Sequence, residues 1–226
     1  METDSSEAWV IRKFCAGDTS ARVIFFTAKH GLIAGHCKGG RTPQKQALLQ
    51  AFTPLWLSFT TRSMAHFVNR IELAAATLPL QGANLLAGLY VNELLYLALK
   101  PLDAHASLHE AYGEVLQALT TAQDRFAVEA ALRRFEWSLL CACGYAMSLT
   151  HDARLATPIR AAQYYQFIAG EGFVLAEDGY YGAHILAIAN DQLHDRAVLT
   201  TAKHIMRIAI QQVIQGKEIR TRALFR

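Results

Sequence analysis

The sequence predicts an α+β chain with a small β-barrel at its N-terminal end, residues 1–79, followed by a mainly α-helical domain, residues 80–226. Three observations predict this order. Short runs rich in Val, Ile, Phe and Trp are separated by turn residues over the first third of the chain, and apolar residues recur at helical spacing from Leu78 onward. The 226 residues are 52% hydrophobic and 18% charged, a composition that supports one large core or two modest ones.

The barrel is predicted from five strands, at 9–14, 21–27, 32–36, 52–60 and 65–74. Turn residues separate them, such as the Ala-Gly-Asp tripeptide at 16–18 between the first two. Five short antiparallel strands with few acidic groups suit a closed five-stranded barrel of the OB type, and an SH3-like barrel is the main structural alternative.

The helical domain is predicted from helices at 82–99, 107–121, 125–147, 183–192 and 195–215. Asp124 is the expected N-cap of the third helix, whose core face is the stripe Val128, Leu132, Phe135 and Leu139. Gly216 is expected to stop the last helix. An irregular insertion is predicted around 150–181, with a small hairpin at 167–176. The basic segment 216–226 is expected to be loosely ordered at its end, where it either contacts phosphates or keeps the surface soluble.

The net charge of +3 is divided unevenly along the chain. Residues 1–80 hold nine Lys/Arg against five Asp/Glu, residues 81–195 hold six against thirteen, and residues 196–226 hold seven against one. No acidic residue occurs between Asp18 and Glu72, a window that contains seven cations: Arg22, Lys29, Lys38, Arg41, Lys45, Arg62 and Arg70. This acid-free window favours a polyanion as partner.

The loop at 37–45 is the sharpest local signal in this window. Its glycine pair lets the backbone approach a phosphate, and three cations project from nearby positions. Such a loop would bind nucleic acid in a salt-dependent, sequence-tolerant way, and an ordinary solvated loop is the alternative. The predicted DNA-binding residues are the three loop cations and two others of the window: Lys38, Arg41, Lys45, Arg22 and Lys29.

Aromatic residues of the barrel could stack on bases, as they do in barrels that hold single strands. The candidates are Trp9, Phe25, Phe26, Trp56, Phe59 and Phe67. Because about half of the residues in alternating strands face inward, most of these rings are expected in the core. Trp56 lies out of phase with its leucine neighbours on the fourth strand, so we expect it to be exposed.

The cysteines do not form a zinc motif. Cys141 and Cys143 are separated by one residue, whereas structural zinc sites use pairs of the Cys-x-x-Cys kind, and Cys15 and Cys37 lie far away. We therefore expect buried, inert thiols and no metal. Residues 1–7 are acidic and polar, unlike a secretory signal, and the apolar stretch 85–99 is too short and too interrupted to span a bilayer, so we expect a cytoplasmic, nucleoid-associated protein with reduced thiols.

No catalytic motif is visible. The sequence has no nucleophile elbow, P-loop, His-Glu-x-x-His or dinucleotide fingerprint, so we expect no enzyme, no catalytic residue and no cofactor. Glu93, beside Asn92 in an apolar helix, fits a buried carboxylate paired with a cation better than a general base. A nucleic-acid-modifying enzyme, which would need a metal site or a carboxylate cluster, is the alternative from another class. A protein-binding adaptor whose basic barrel contacts acidic partners is a second one.

Arg133 and Arg134 lie on a predicted helix with an apolar opposite face, and Trp137 follows one turn later. The sequence pattern alone fits a solvated helix face with an ion pair to Glu129. It also fits a hydrophobic notch edged by a guanidinium, which would suit a peptide with an apolar side chain beside a carboxylate. The predicted partner-peptide residues are Arg133, Arg134 and Trp137.

Several short segments, in one order along nearly the whole chain, resemble the bacterial RecO family of DNA-repair proteins. They are FTAKHG at 26–31, KGGR at 38–41, QAFTPL at 50–55, GLYVNELL at 88–95, LRRFE at 132–136 with Gly144-Tyr145, and 217–225. Each segment is weak alone, and the colinear set is specific. The stretch 150–181 lacks the four cysteines of the zinc module that many members carry there, so the chain resembles a metal-free branch.

The resemblance implies an N-terminal OB barrel, a helical C-terminal domain and a mediator role in recombinational repair. That role includes binding single- and double-stranded DNA, annealing complementary strands and helping to load recombinase onto coated single strands. It also implies two protein partners, RecR and the single-stranded-DNA-binding protein, whose acidic C-terminal tail would dock near Arg133. Lys38 and Arg41 match the basic barrel loop of the family and become the leading DNA contacts.

Overall fold

A computed structural model describes residues 3–225, apart from the side chain of Phe225. The N-terminal barrel is built from five strands and a short helix: β1 (Thr3–Ala16), β2 (Ser20–Thr27), β3 (Gly31–Cys37), α1 (Pro43–Leu48), β4 (Pro54–Arg62) and β5 (Ala65–Leu73). The strands form a closed barrel in the order β1-β2-β3-β5-β4, with a parallel pairing only between β3 and β5 among these strands. The predicted α+β class and OB-type five-stranded barrel are confirmed.

The chain divides into two compact units, residues 1–120 with 219–226 and residues 121–218. The first unit contains the barrel, α2 (Gly82–Ala98), α3 (Ala106–Thr121) and a 3-10 helix (Arg220–Phe225). The second contains α4 (Arg125–Ala142), β6 (Tyr164–Ile168), β7 (Gly172–Ala176), β8 (Tyr180–Tyr181), α5 (Gly182–Ala189) and α6 (Arg196–Val213). The predicted division into 1–79 and 80–226 stays a prediction, and the compact units group α2 and α3 with the barrel.

The barrel core forms because inward positions alternate along every strand. Val23 and Phe25 of β2, Leu55 and Leu57 of β4 and Ile33 of β3 are almost fully buried. β1 begins at Thr3, six residues before its predicted start, because its polar first half pairs with β4 from Thr3 opposite Thr60 to Trp9 opposite Pro54. Strand propensity is low in this segment, and pairing with β4 decides its conformation.

α2 joins the barrel through Asn92, which explains this polar residue in an apolar helix. β1 has an irregularity between Val10 and Arg12, and the Asn92 side-chain amide lies 3.4 Å from the Val10 carbonyl and 3.5 Å from that of Ile11. The hydroxyl of Tyr112 on α3 donates to the Asn92 oxygen at 2.6 Å. Asn92 thus supplies hydrogen-bond donors to carbonyl groups beside the irregularity, and Tyr112 orients its side-chain amide.

Glu93 has a different role from the one expected. Its carboxylate accepts hydrogen bonds from the backbone N–H groups of Arg220 and Thr221, at 3.0 and 2.8 Å, and from the Thr221 hydroxyl at 2.6 Å. Partial burial raises the pKa of Glu93, but these bonds and the Arg12 charge outweigh burial and lower it. Glu93 therefore holds the start of the C-terminal 3-10 helix against α2. The expected loose order at the end of this segment stays a prediction, because the last residue lies outside the described residues.

The second unit packs its helices and a three-stranded sheet, ordered β7-β6-β8, around one core. Asp124 caps α4 by accepting from the Ala127 N–H at 2.8 Å, as predicted, and the stripe Val128, Leu132, Phe135 and Leu139 is buried. α4 ends at Ala142 and not at the predicted 147. Gly144, with φ of 77°, forms a left-handed stop in which the Tyr145 N–H bonds to the Leu140 carbonyl.

Asp152 organises the loop before the sheet. Its carboxylate accepts from the N–H groups of Arg154, Leu155 and Leu175, at 2.8, 2.7 and 2.6 Å, and only 2% of the residue is exposed. Burial raises the pKa of Asp152, but the three backbone bonds and the Arg154 charge outweigh burial and hold the pKa below its ordinary value. The irregular insertion thus has one defined carboxylate at its centre.

Candidate nucleic-acid interface

The basic loop that follows β3 has a defined shape. Gly39 has φ of 68°, and a Cβ atom on Gly40 would lie 2.9 Å from the Cβ of Ala21, so both positions favour glycine. The N–H and the hydroxyl of Thr42 both bond to the Gly39 carbonyl, at 3.0 and 2.8 Å. Residues 43–48, predicted as the end of a loop and a linking stretch, form α1 because Pro43 is favoured in the first turn of a helix.

Two of the predicted cations tie the loop to its surroundings. The Arg41 guanidinium donates to the Gly17 carbonyl at 2.9 Å, and its backbone N–H donates to Thr19 at 2.8 Å, so the loop is fixed to the β1–β2 turn. The Lys45 ammonium donates to the Lys38 carbonyl at 2.7 Å. Both side chains keep further N–H donors, so the loop presents preorganised positive charge.

Lys38 and Arg22 are placed differently. Lys38 is exposed, and Arg22 points outward from β2 opposite His36, the second residue before Lys38. Neither side chain forms an ion pair or hydrogen bond with the described residues. These two cations are therefore open to an anionic ligand at the same edge of the barrel as the loop.

Lys29 lies apart from the other four predicted cations. It is in the turn between β2 and β3, where its N–H donates to the Ser6 hydroxyl at 3.3 Å. The loop lies at the opposite end of β2, about 23 Å away at the usual rise of a strand. The structure thus brings Lys38, Arg41, Lys45 and Arg22 together and leaves Lys29 at the far end.

The aromatic candidates include core and surface residues, and Trp9 is half-buried. Phe25, Phe26 and Phe59 are buried, whereas Trp56 is 41% exposed, as predicted, and Phe67 is 42% exposed. The cross-strand neighbours of Trp56 are Glu7 on β1 and Glu72 on β5. A carboxylate on each side makes the Trp56 surface a poor place for a phosphate backbone.

A second set of exposed side chains combines Phe67 and Arg22, which the sequence interpretation named, with Phe14 and His36, which it missed. Phe14, Arg22, His36 and Phe67 stand opposite one another on β1, β2, β3 and β5 in turn, all pointing outward. We call this set the outer row. Alternation within each strand predicts the outward direction, but only the register of four strands places these residues side by side, and the sequence does not give that register.

The predicted peptide site on α4 is partly enclosed. Arg133 is only 7% exposed, and its Nη2 donates to the Glu136 carboxylate at 2.6 Å. Among the described residues the Arg133 Nε has no hydrogen-bond partner. Arg134 is exposed and bonds to Asp191 at 2.8 and 3.0 Å, and Trp137 packs half-buried against the core of the unit. The ion pair of Arg133 is therefore with Glu136, not with Glu129.

The cysteines differ from the prediction in part. Cys37 is buried, and burial raises the pKa of its thiol to about 11, although Lys45 opposes the shift. Cys15 and Cys141 are exposed and Cys143 is half-buried, so the prediction of buried thiols is wrong for these three. Cys15 lies near the end of β1, opposite the buried Ala21 of β2. No cluster of three or more His, Cys, Asp or Glu side chains suited to a metal occurs within residues 3–225.

Comparison with known proteins identifies the family. The model of the Recombination protein O N-terminal domain matches residues 1–76, and that of the Recombination protein O C-terminal domain matches residues 79–203. The chain belongs to the RecO family. The two matches meet near the predicted end of the barrel, and the first covers the basic loop and the outer row.

Relatives in the RecO family match along nearly their whole length. The DNA repair protein RecO of Legionella pneumophila strain Philadelphia 1 is 50% identical over 226 residues, all of this chain and 99% of the relative. The DNA repair protein RecO of Pasteurella multocida is 34% identical over 96% of this chain and 92% of its own length. The DNA repair protein RecO of Actinobacillus pleuropneumoniae serotype 7 is 33% identical over 92% of this chain and 88% of its own length. These relatives support a function in DNA repair and recombination. No helix among residues 3–225 is long and apolar enough to cross a membrane.

Proposed function

We propose that the protein is a recombinational repair mediator that binds single- and double-stranded DNA through the basic edge of its barrel. It anneals complementary strands and, with RecR, helps to load recombinase onto coated single strands at the nucleoid. It works by contact and not by covalent catalysis. The observation that carries the proposal is the group of cations on one edge of an OB-type barrel: the exposed Lys38, Arg41 and Arg22 and the half-buried Lys45.

Annealing follows from charge neutralisation at this edge. Two complementary strands repel each other through their phosphates, and Lys and Arg side chains that replace counterions lower that repulsion. The contacts involve backbone phosphates, so every sequence is accepted. Asp18, in the β1–β2 turn beside the loop, is the single acidic residue between Glu7 and Glu72 in the sequence, so little negative charge opposes a phosphate here.

The α4 site supports recruitment to coated DNA. The acidic tail of the single-stranded-DNA-binding protein would place a carboxylate near Arg133, whose Nε is a buried donor without a partner among the described residues. A carboxylate that accepts this N–H would satisfy it. Arg134 and the half-buried ring of Trp137 would contact the rest of the tail.

DNA binding is tested by fluorescence anisotropy of a labelled single-stranded oligonucleotide without added metal. The variant that combines Lys38→Gln with Arg22→Gln removes two cationic side chains that form no hydrogen bond with the described residues. It should therefore keep the fold of the wild type. Arg70→Gln is the matched control, because Arg70 is an exposed cation of the same barrel that is already paired with Glu72 at 2.8 Å. We expect weaker binding by the first variant and wild-type binding by the second.

The same assay separates the alternatives. Equal affinity of the double variant and the wild type would refute the placement of DNA on this edge. A wild-type protein that binds acidic proteins but no DNA at low salt would favour the adaptor function. Cleavage of an oligonucleotide in the presence of magnesium or manganese would contradict the proposal of a protein without catalysis.

A further inference from the structure

The outer row carries an inference that rests on the proposed DNA function and deepens it. We propose that the row is a base-stacking platform for single-stranded DNA, with the rings of Phe14 and Phe67 at its two ends. The occupant is a single strand and not a duplex, because the row offers ring faces to whatever lies on it.

The row follows the curved outer wall of the barrel across four of its five strands. Phe14 pairs with Arg22, Arg22 with His36, and His36 with Phe67. Their inward neighbours on the same strands, such as Val23 and Val68, are buried, so the row itself faces outward. Three strand spacings, about 14 Å along the curved barrel wall, separate its ends, which is room for about four nucleotides at the duplex rise and fewer in an extended strand.

The rings of the row are exposed, and two of them are stacked on each other. Phe14 is 37% exposed and Phe67 is 42% exposed. The His36 and Phe67 rings are stacked, with centroids 5.5 Å apart and planes 26° apart. An exposed aromatic stack on a sheet surface can be extended by a base, because every base has a π-face of similar size.

Cations border both ends of the row. The Arg12 guanidinium lies 5.0 Å from the centroid of the Phe14 ring, and the Arg62 guanidinium lies 6.0 Å from that of Phe67. Arg22 stands in the middle. A strand whose bases lie on the rings would therefore pass its phosphates close to guanidinium groups, and this charge complementarity argues for a nucleic acid over an apolar protein surface.

Selectivity for single strands follows from where the binding energy arises. In a duplex the faces of the bases are covered by neighbouring bases, so a platform can reach them only after the pairs open, which costs a few kcal/mol per base. The basic loop contacts phosphates, which both forms of DNA expose. The platform and the loop should therefore respond differently to the same two ligands.

The test compares Phe67→Ala with the wild type in anisotropy titrations of a single-stranded oligonucleotide and of a duplex of the same length. Loss of one stacking ring should weaken single-strand binding by about 5- to 150-fold and leave duplex binding within about twofold. Trp56→Ala is the matched control, because Trp56 has almost the same exposure as Phe67. Its cross-strand neighbours Glu7 and Glu72 repel phosphates, so this variant should bind both ligands like the wild type.

A second variant reports contact directly. In Phe67→Trp the indole should stack on a base, so oligothymidylate should quench tryptophan fluorescence more than it does in the wild type, with binding retained. Single-strand affinity of Phe67→Ala equal to that of the wild type, or an equal loss for the duplex, would overturn the platform. If Lys38→Gln still weakens DNA binding in that case, the proposed function stands. A wild-type protein that binds neither the single strand nor the duplex would overturn both the proposed function and the platform.

Discussion

The substitution Arg133→Ala is predicted to damage the fold as well as the proposed peptide site. Arg133 and Glu136 are 7% and 1% exposed, and their side chains form an ion pair at 2.6 Å. Removal of one partner of a buried pair leaves the other charge without its counterion and destabilises a protein by about 3–5 kcal/mol. Urea unfolding followed by circular dichroism should show this loss for Arg133→Ala.

The combined change Arg133→Met and Glu136→Gln is the matched control, because it removes both charges and keeps similar volume. It should unfold at a urea concentration closer to that of the wild type than Arg133→Ala does, since replacing both partners of a buried pair is often nearly neutral. At the same time it should lose affinity for an acidic tail peptide in anisotropy titrations. A stable Arg133→Ala variant, within about 1 kcal/mol of the wild type, would refute this account of the pair.

Three further predictions concern two carboxylates that hold loops in place and the two cysteines of the barrel. Asp152→Ala removes three backbone hydrogen bonds and should lower the free energy of unfolding by about 3 kcal/mol at pH 7. Because folding lowers the pKa of Asp152, this difference in unfolding free energy from the wild type should shrink as the pH falls below about 4. A difference that does not depend on pH would contradict this role. Glu93→Ala should speed hydrogen exchange at the Thr221 amide several-fold with little change in the melting temperature; unchanged exchange would contradict the capping role. Cys15 should react with a thiol reagent at pH 8 in the native protein. Cys37, whose pKa is about 11, should react only after unfolding. Equal reaction rates of the two thiols would contradict the burial of Cys37.

Much of the fold could be predicted from the sequence because local signals and tertiary packing agree there. The alternation of Leu55, Trp56 and Leu57 identified both the strand and its exposed ring, and Asp124 marked the start of α4. Predictions failed where the local conformation depends on contacts with residues distant in sequence. The first half of β1 is a strand only because it pairs with β4, and the end of α4 is set by Gly144, whose stop signal was not recognised.

The candidate site shows the same division. The cations could be found from composition alone, since no acid interrupts the window that holds them. Their grouping could not, because Lys29 and Arg22 are close in sequence and lie near opposite ends of one strand. The partner of Arg133 was also missed: Glu129 and Glu136 are both one turn away, and burial of the side chain against Glu136 is a tertiary effect.

The most direct test of phosphate neutralisation by the barrel is the slope of the logarithm of the DNA affinity against the logarithm of salt concentration, measured for the wild type and for Lys38→Gln. We expect tight single-strand binding at low salt that weakens steeply as salt rises, and a slope reduced by about 0.7 in the variant, the value for one lost phosphate contact on single strands. An unchanged slope in Lys38→Gln, or no binding by the wild type at low salt, would contradict the account.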